Sequence, residues 1–206
     1  MEITVCTAFA CADEKYFEEN MTFSVLQSVY KKDTPEFLSQ SLQSIADNTV
    51  QPTQIVLVKD GTLTAELEAV IAEWQEKLPL KVVGYEENRR LAHALNYGLQ
   101  FVETELVARM DSDDIAYANR FEKQIGFMEQ NPDVALCSGY ISEFNSNELI
   151  PKSIRRVPLL QEEIVPYLKN RNAFNHLAVC FKKKHGGLLQ EVCGGCIGRL
   201  RGSAVL

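Results

Sequence analysis

The chain has 206 residues and a mass of 23.2 kDa, 46% hydrophobic and 24% charged. That composition excludes wholesale disorder, a collagen-like fibre and a disulfide miniprotein, and the length suits one domain with an extension or two very small ones. With 21 basic against 28 acidic side chains, a formal charge of −7 and a pI of ≈ 5.1, it is not a general nucleic-acid binder.

Charge is unevenly spread: residues 1–150 carry 11 basic and 25 acidic groups, residues 151–206 carry 10 and 3. Residues 1–20 read as an appendage before the first patterned segment, which opens at Met21. Their Ala10-Cys11-Ala12 imitates a cleavage site, but Glu2 stands where a secretory signal needs basic residues. No apolar run approaches the 18 or so residues of a spanning helix. Strands and helices then alternate. Phe23–Tyr30 is a buried strand, and Pro35 opens a helix behind Asp33 and Thr34 as cap candidates. A second strand covers 54–59 and ends in Asp60-Gly61, and Leu63, Leu67, Val70, Ile71 and Trp74 mark a second helix over 63–77. A third strand at 80–85 leads to a helix from Arg89 to about Val102. A fourth strand, 105–110, runs into Asp111-Ser112-Asp113-Asp114, followed by a helix over 117–130 and a fifth strand at 134–138. Beyond residue 145 the pattern fades to a helix at 160–169, an apolar run near 178–181 and a Gly/Lys-rich end. Such alternation implies an α/β fold with three layers and a mostly parallel central sheet, whose ligands sit beyond the carboxyl ends of the strands.

That rule directs attention to Tyr30–Asp33, Asp60-Gly61, Glu86–Arg90 and, the most acidic, Asp111–Asp114. Three carboxylates in four residues repel one another unless a cation neutralises them, and hard oxygen ligands suit Mg²⁺ or Mn²⁺ together with a substrate diphosphate. The same tetrad fits a solvated turn capping the next helix. An EF-hand is excluded because the loop glycine and terminal glutamate are missing. Asp60 either caps its turn or accepts from a nucleobase or ribose. Arg89 and Arg90, at a helix start, are placed to reach phosphates, or are simply solvated. No GxGxxG follows a strand and there is no P-loop, which disfavours dinucleotide oxidoreductases and P-loop NTPases. Of the six cysteines, Cys137 lies in an apolar run and reads as a reduced core residue; Cys193 and Cys196, with Cys180 and His185, form a weak zinc or redox pattern.

Taken together, Phe23–Tyr30, Val58-Lys59-Asp60-Gly61, Asn88 with Leu91, Ala92, Ala94, Leu95, Asn96 and Gly98, and Ala108–Ile115 with Arg120 and Gln124 resemble the family 2 glycosyltransferases. The branch they resemble is that of bacterial exopolysaccharide, capsule and lipopolysaccharide transferases of the amylovoran-synthesis type. The resemblance implies a GT-A fold (Rossmann-like, α/β/α) over residues 21–182. It also implies inverting, metal-dependent transfer from a nucleotide-diphosphate sugar, a UDP-sugar, to a saccharide or lipid-linked saccharide acceptor in cell-surface polysaccharide biosynthesis. Location would be cytoplasmic, with peripheral association at the inner membrane face. Ser28, Val29 and Tyr30 would line the nucleotide pocket, with Asn88 and Asn96 on the same side, and Asp60 would bind the base. Ser112 would bind the nucleotide-sugar, Asp111 would approach the ribose or the metal, and Asp113, with Asp111, would hold Mn²⁺ or Mg²⁺. Asn175 and His176 resemble the family's acceptor-side segment.

The end of the chain departs from the family. Where members continue into a Gly-Gly-Tyr turn and a Glu-Asp pair that supplies the base, this sequence has a Gly/Cys-rich stretch in which Glu191 is the one carboxylate. Residues 183–206 therefore read as an atypical tail, the family domain as cut short, and the catalytic base as unassigned. The alternative function is a noncatalytic remnant that binds nucleotide-sugar with Mn²⁺ and transfers nothing. A nucleotidyltransferase of related fold would need a glycine-rich basic loop after the first strand, and a haloacid-dehalogenase-type phosphatase would need its aspartates there.

Overall fold

The computed structural model describes residues 2–7, 22–145, 151–159 and 161–186. Its main sheet has six strands in the order β4-β3-β2-β5-β10-β7. β2 (Phe23–Val29) lies at the centre, flanked in parallel by β3 (Gln54–Asp60) and β5 (Leu106–Arg109), with β4 (Leu80–Tyr85) parallel to β3. The parallel order ends there: β10 (Cys180–Lys182) runs antiparallel to both β5 and β7 (Leu136–Cys137).

Side-chain alternation sorts the sheet's apolar residues between two helical layers. Phe23, Val25 and Val29 of β2 join Ile55 and Leu57 against α1 (Pro35–Ala46), α2 (Ala65–Gln75) and α4 (Arg120–Gln130), which bring Leu42, Trp74 and Phe121. On the other face Leu26, Val56, Val58 and Val107 pack against α3 (Leu91–Leu99) through Ala94 and Leu95. Phe174, Val179 and Phe181 complete that layer beside α5 (Gln161–Tyr167). Each such side chain, fully buried, contributes about 1.5–3 kcal/mol. The approach of α3 depends on Gly98, where a Cβ would stand 2.6 Å from both Leu26 Cδ1 and Val58 Cγ2.

A second sheet, in the order β6-β1-β8-β9, was not legible in the periodicity. Glu2–Thr7 forms its strand β1, within the stretch expected as an appendage; it lies parallel to β6 (Ile115–Ala116) and antiparallel to β8 (Tyr140–Asn145). β9 (Pro151–Arg155) is exposed along its whole length, so it carries no buried alternation to reveal it. Cys137 is buried and free, directly opposite the equally buried, free Cys180. Cys180 thus belongs to the sheet, while Cys193 and Cys196 lie outside the described residues.

Gly98→Val is expected to destabilise the protein by about 2 kcal/mol through overpacking of α3 on the sheet. A shift of the urea midpoint at constant m-value is the measurement that checks it.

Candidate functional site

The carboxyl ends of β2, β3 and β5 open onto a cavity of about 430 Å³. Ser28, Val29, Tyr30, Asp60, Asn88, Asp111, Ser112 and Asp113 all line it, so eight of the sequence-derived candidates converge. Asn96 does not line it: it sits half-buried on α3, two turns from the loop that does. Asn175 and His176 lie on the far side of Arg109 rather than in the cavity wall.

The acidic turn does not cap a helix. α4 begins at Arg120 behind Asn119, while Asp111–Asp114 leads into β6. Asp111 instead sits over the guanidinium of Arg109, which is fully buried and donates to both carboxylate oxygens, from Nη1 at 2.9 Å and from Nη2. Two residues apart at a strand end, these side chains project to the same side. The Asp111 carbonyl accepts from Gln27 Nε2 (2.8 Å) and Ser41 Oγ (3.1 Å). The Arg109 carbonyl accepts from Arg120 Nη2 at 2.6 Å, and Gln124, held by Arg120 Nε, donates to the Ala178 carbonyl.

Oxygens of Asp111, Asp113 and Asp114 all lie within 4.8 Å of one another, a spacing that suits one hard cation. Burial, then the charge of Asp111, pushes the Asp113 carboxyl up; burial and the charges of Asp111 and Asp113 raise Asp114 well above the carboxylate range. The charges of Arg109 on both, and of Arg120 on Asp114, oppose this without cancelling it. The cluster therefore has the donor set and the excess negative charge that a divalent ion would neutralise.

Asp33 adds a fourth carboxylate that sequence reading assigned to a helix cap. Thr34 takes the cap position, with no side-chain bond, and Asp33 Oδ2 accepts from the Tyr30 N–H (3.1 Å) and from Ser112 Oγ (2.8 Å). Burial, opposed by those two bonds and helped by the charges of Asp113 and Asp111, pushes its carboxyl up to about 6.

Asp60 holds the opposite wall. It accepts from Tyr85 Oη (2.8 Å) and the Arg89 N–H (2.7 Å) through Oδ1, and from Asn88 Nδ2 (2.9 Å) through Oδ2. Burial and the Asp60 contact raise the Tyr85 hydroxyl well above its ordinary value. A carboxylate has further lone pairs, so Asp60 can still accept from a ligand. Gly61, at φ 91, is required, since a Cβ there would meet the Asn88 nitrogen at 2.8 Å. Arg90 holds a left-handed φ of 72 at the start of α3, a strained conformation for a side-chain-bearing residue, and lines the cavity. Tyr30, 40% exposed, presents a ring at the mouth.

Behind Asp111, Arg109 Nη1 lies 2.8 Å from His176 Nδ1. A guanidinium only donates, so Nδ1 accepts and the ring is neutral. Burial, then the Arg109 charge, holds His176 below its ordinary pKa. Asn175 is buried, donating from Nδ2 to the Gly139 carbonyl (2.8 Å) and from its N–H to Ser138 Oγ. Arg109 and Asp33 are the residues that sequence reasoning missed. An arginine within a buried apolar strand was the available signal for the first; the second lay in the strand-end segment Tyr30–Asp33 but was read only as a cap candidate.

Residues 24–193 match the family Glycosyl transferase family 2. The UDP-Gal:alpha-D-GlcNAc-diphosphoundecaprenol beta-1,3-galactosyltransferase of Escherichia coli is 45% identical over 166 residues, 81% of this chain and 60% of its own. An uncharacterized glycosyltransferase of Haemophilus influenzae is 44% identical (79% and 61% covered). The amylovoran biosynthesis glycosyltransferase AmsE of Erwinia amylovora is 42% identical (78% and 60%). The chain thus spans about three fifths of the length of these curated relatives. Among solved structures, a mannosyltransferase from Pyrobaculum calidifontis in complex with GDP-Man and Mn²⁺ superposes with a TM-score of 0.58 at 18% identity, covering 81% of this chain and 46% of that one. Staphylococcus aureus TarS 1–349 gives 0.58 at 21%, covering 82% and 48%.

Two outcomes test this site. Arg109→Met leaves the half-buried Asp111 carboxylate without its cation and is expected to cost about 2 kcal/mol, read by urea unfolding. Asp33 has its folded pKa, about 6, above the ordinary aspartate value of 3.8, so its stabilisation is complete below the lower value and lost as pH rises through the upper. The permanently neutral Asp33→Asn is therefore expected to melt above wild type at about pH 7, with the gap closing by about pH 4.

Proposed function

The chain belongs to glycosyl transferase family 2 and has the GT-A fold, and from that premise we propose that it binds a nucleotide-diphosphate sugar, a UDP-sugar, in the acidic cavity and transfers the sugar with inversion to a saccharide acceptor. The observation that carries this reading is the meeting of Asp111, Asp113 and Asp114 with Asp60 and Tyr30 around one cavity at the strand ends. Tyr30 offers a ring face to the base, and Asp60 a buried acceptor for a base N–H. Asp113 and Asp111 hold Mn²⁺ or Mg²⁺, with Asp114 the adjoining carboxylate. When bound, the ion supplies charge neutralisation for the leaving diphosphate. Arg109 keeps Asp111 aimed at the cavity, and Arg90 faces the diphosphate from the opposite wall.

The acceptor is a lipid-linked saccharide in cell-surface polysaccharide assembly. The names of two relatives support this: one uses a diphosphoundecaprenol-linked sugar, and the other belongs to amylovoran biosynthesis. Among the described residues no helix is long and apolar enough to cross a membrane. A cytoplasmic protein associating peripherally with the inner membrane face fits such an acceptor. Glu191, where a base was sought, lies outside the described residues.

Titration of the full chain with UDP-sugars, with and without Mn²⁺, is the test. Binding is expected to require the ion and to weaken about tenfold or more in Asp113→Ala. Unchanged binding in that variant would remove the metal-site assignment. Sugar transfer measured on the same sample separates a working transferase from a chain that only holds donor.

A further inference from the structure

The positive charge of the C-terminal quarter is not absorbed by the donor site. A second cavity, of about 580 Å³, is lined by Arg155, Arg156, Tyr167, Arg171 and Asn172, none of which lines the acidic cavity. Arg155 ends β9 and Arg156 follows it, while Arg171 is brought in by the turn after α5, where its N–H donates to the Tyr167 carbonyl at 3.0 Å. Two segments distant in sequence thus converge three guanidinium groups on one hollow. All three arginines are exposed, and among the described residues none forms an ion pair, although the chain as a whole is acidic.

Three cations of like sign around a concavity repel one another, and no carboxylate on the wall relieves them. An anion does so. Guanidinium forks match the oxygens of phosphate in a way that a point charge does not, and three of them exceed what a single carboxylate can accept. Tyr167 adds a hydroxyl, and its ring packs on the apolar layer that includes Ala173 and Phe174, so the hollow has a polar rim over an apolar base. Arg155 lies near enough for its charge to act on His176, which contacts Arg109, the partner of Asp111.

We infer that Arg155, Arg156 and Arg171 form an anion site for the diphosphate of the acceptor, separate from the cavity that receives the donor's diphosphate. This rests on the proposed transferase reading and names the chemical group by which the acceptor is held. Bound there, a diphosphate ester is anchored on the side of the fold that carries His176.

The test uses the full chain in EDTA, where the metal-free carboxylates of the donor cavity repel anions. Inorganic pyrophosphate is titrated calorimetrically into wild type and into Arg155→Gln/Arg171→Gln. Wild type is expected to bind, and the variant to bind about tenfold more weakly or worse with an unchanged melting temperature. Replacing the same two residues by lysine is expected to restore part of the affinity, because charge returns without the fork. Equal affinity in wild type and the glutamine variant overturns the proposal. So does retention on phosphatidylglycerol vesicles that pyrophosphate cannot displace, since that makes a bilayer headgroup the ligand. A wild-type chain that binds pyrophosphate here yet fails to bind UDP with Mn²⁺ would remove the transferase reading and leave this anion site standing.

Discussion

A fully buried guanidinium beneath a carboxylate organises this protein. Arg109 ends the central β5 with no solvent around its charge, and Asp111, two residues on, takes two of its donors. Desolvating a cation at that depth is costly unless it is paired and hydrogen-bonded. The two terminal nitrogens of Arg109 are partnered, while Nε is buried without a hydrogen bond. Gln27 and Ser41 fix the carbonyl of Asp111, Arg120 fixes that of Arg109, and His176 accepts from Nη1, the nitrogen that also donates to Asp111 Oδ2. The acidic turn is therefore held by its backbone as well as by charge, and Asp113 and Asp114 are presented from a rigid base.

The two walls of the donor cavity differ in how they are held. On one side Asp33, Ser112 and the Tyr30 N–H form a short chain of hydrogen bonds joining the end of β2 to the acidic turn. On the other, Asp60 gathers Tyr85, Asn88 and Arg89, which keeps the loop before α3 against the sheet and sets Arg90 in its strained conformation. Charge is divided accordingly, with carboxylates clustered at the strand ends and, at and beyond the end of β9, three arginines that form no ion pair among the described residues. That separation is what the proposed reaction, with one diphosphate at the carboxylates and another at the arginines, would require.

The parallel core was legible because β2, β3 and β5 are buried on both faces, half-buried β4 is rich in β-branched residues, and the helices carry apolar residues at helical spacing. Phe23–Val29, Gln54–Asp60 and Leu80–Tyr85 fall where the sequence places them, and α1 starts at Pro35 as expected. Helix ends were less legible. The helix expected from residue 117 begins at Arg120, since the chain first makes the short β6. The second sheet escaped altogether: β9 is solvent-exposed along its length, and a strand that buries neither face leaves no period to read.

What the residues determined alone was the chemistry at the strand ends: carboxylates after β5, Asp60-Gly61 after β3 and an aromatic after β2. These follow from the rule that open α/β sheets bind ligands at their carboxyl edge. What the tertiary structure decided was which groups meet. Asp33 reaches Ser112 across 79 positions, and Arg109 reaches His176 across 67. Arg155 and Arg171 share a hollow although a helix separates them. Local sequence carries propensity and period, whereas such contacts depend on how sheet and helices pack, and only the packed fold brings those charges within reach of one another.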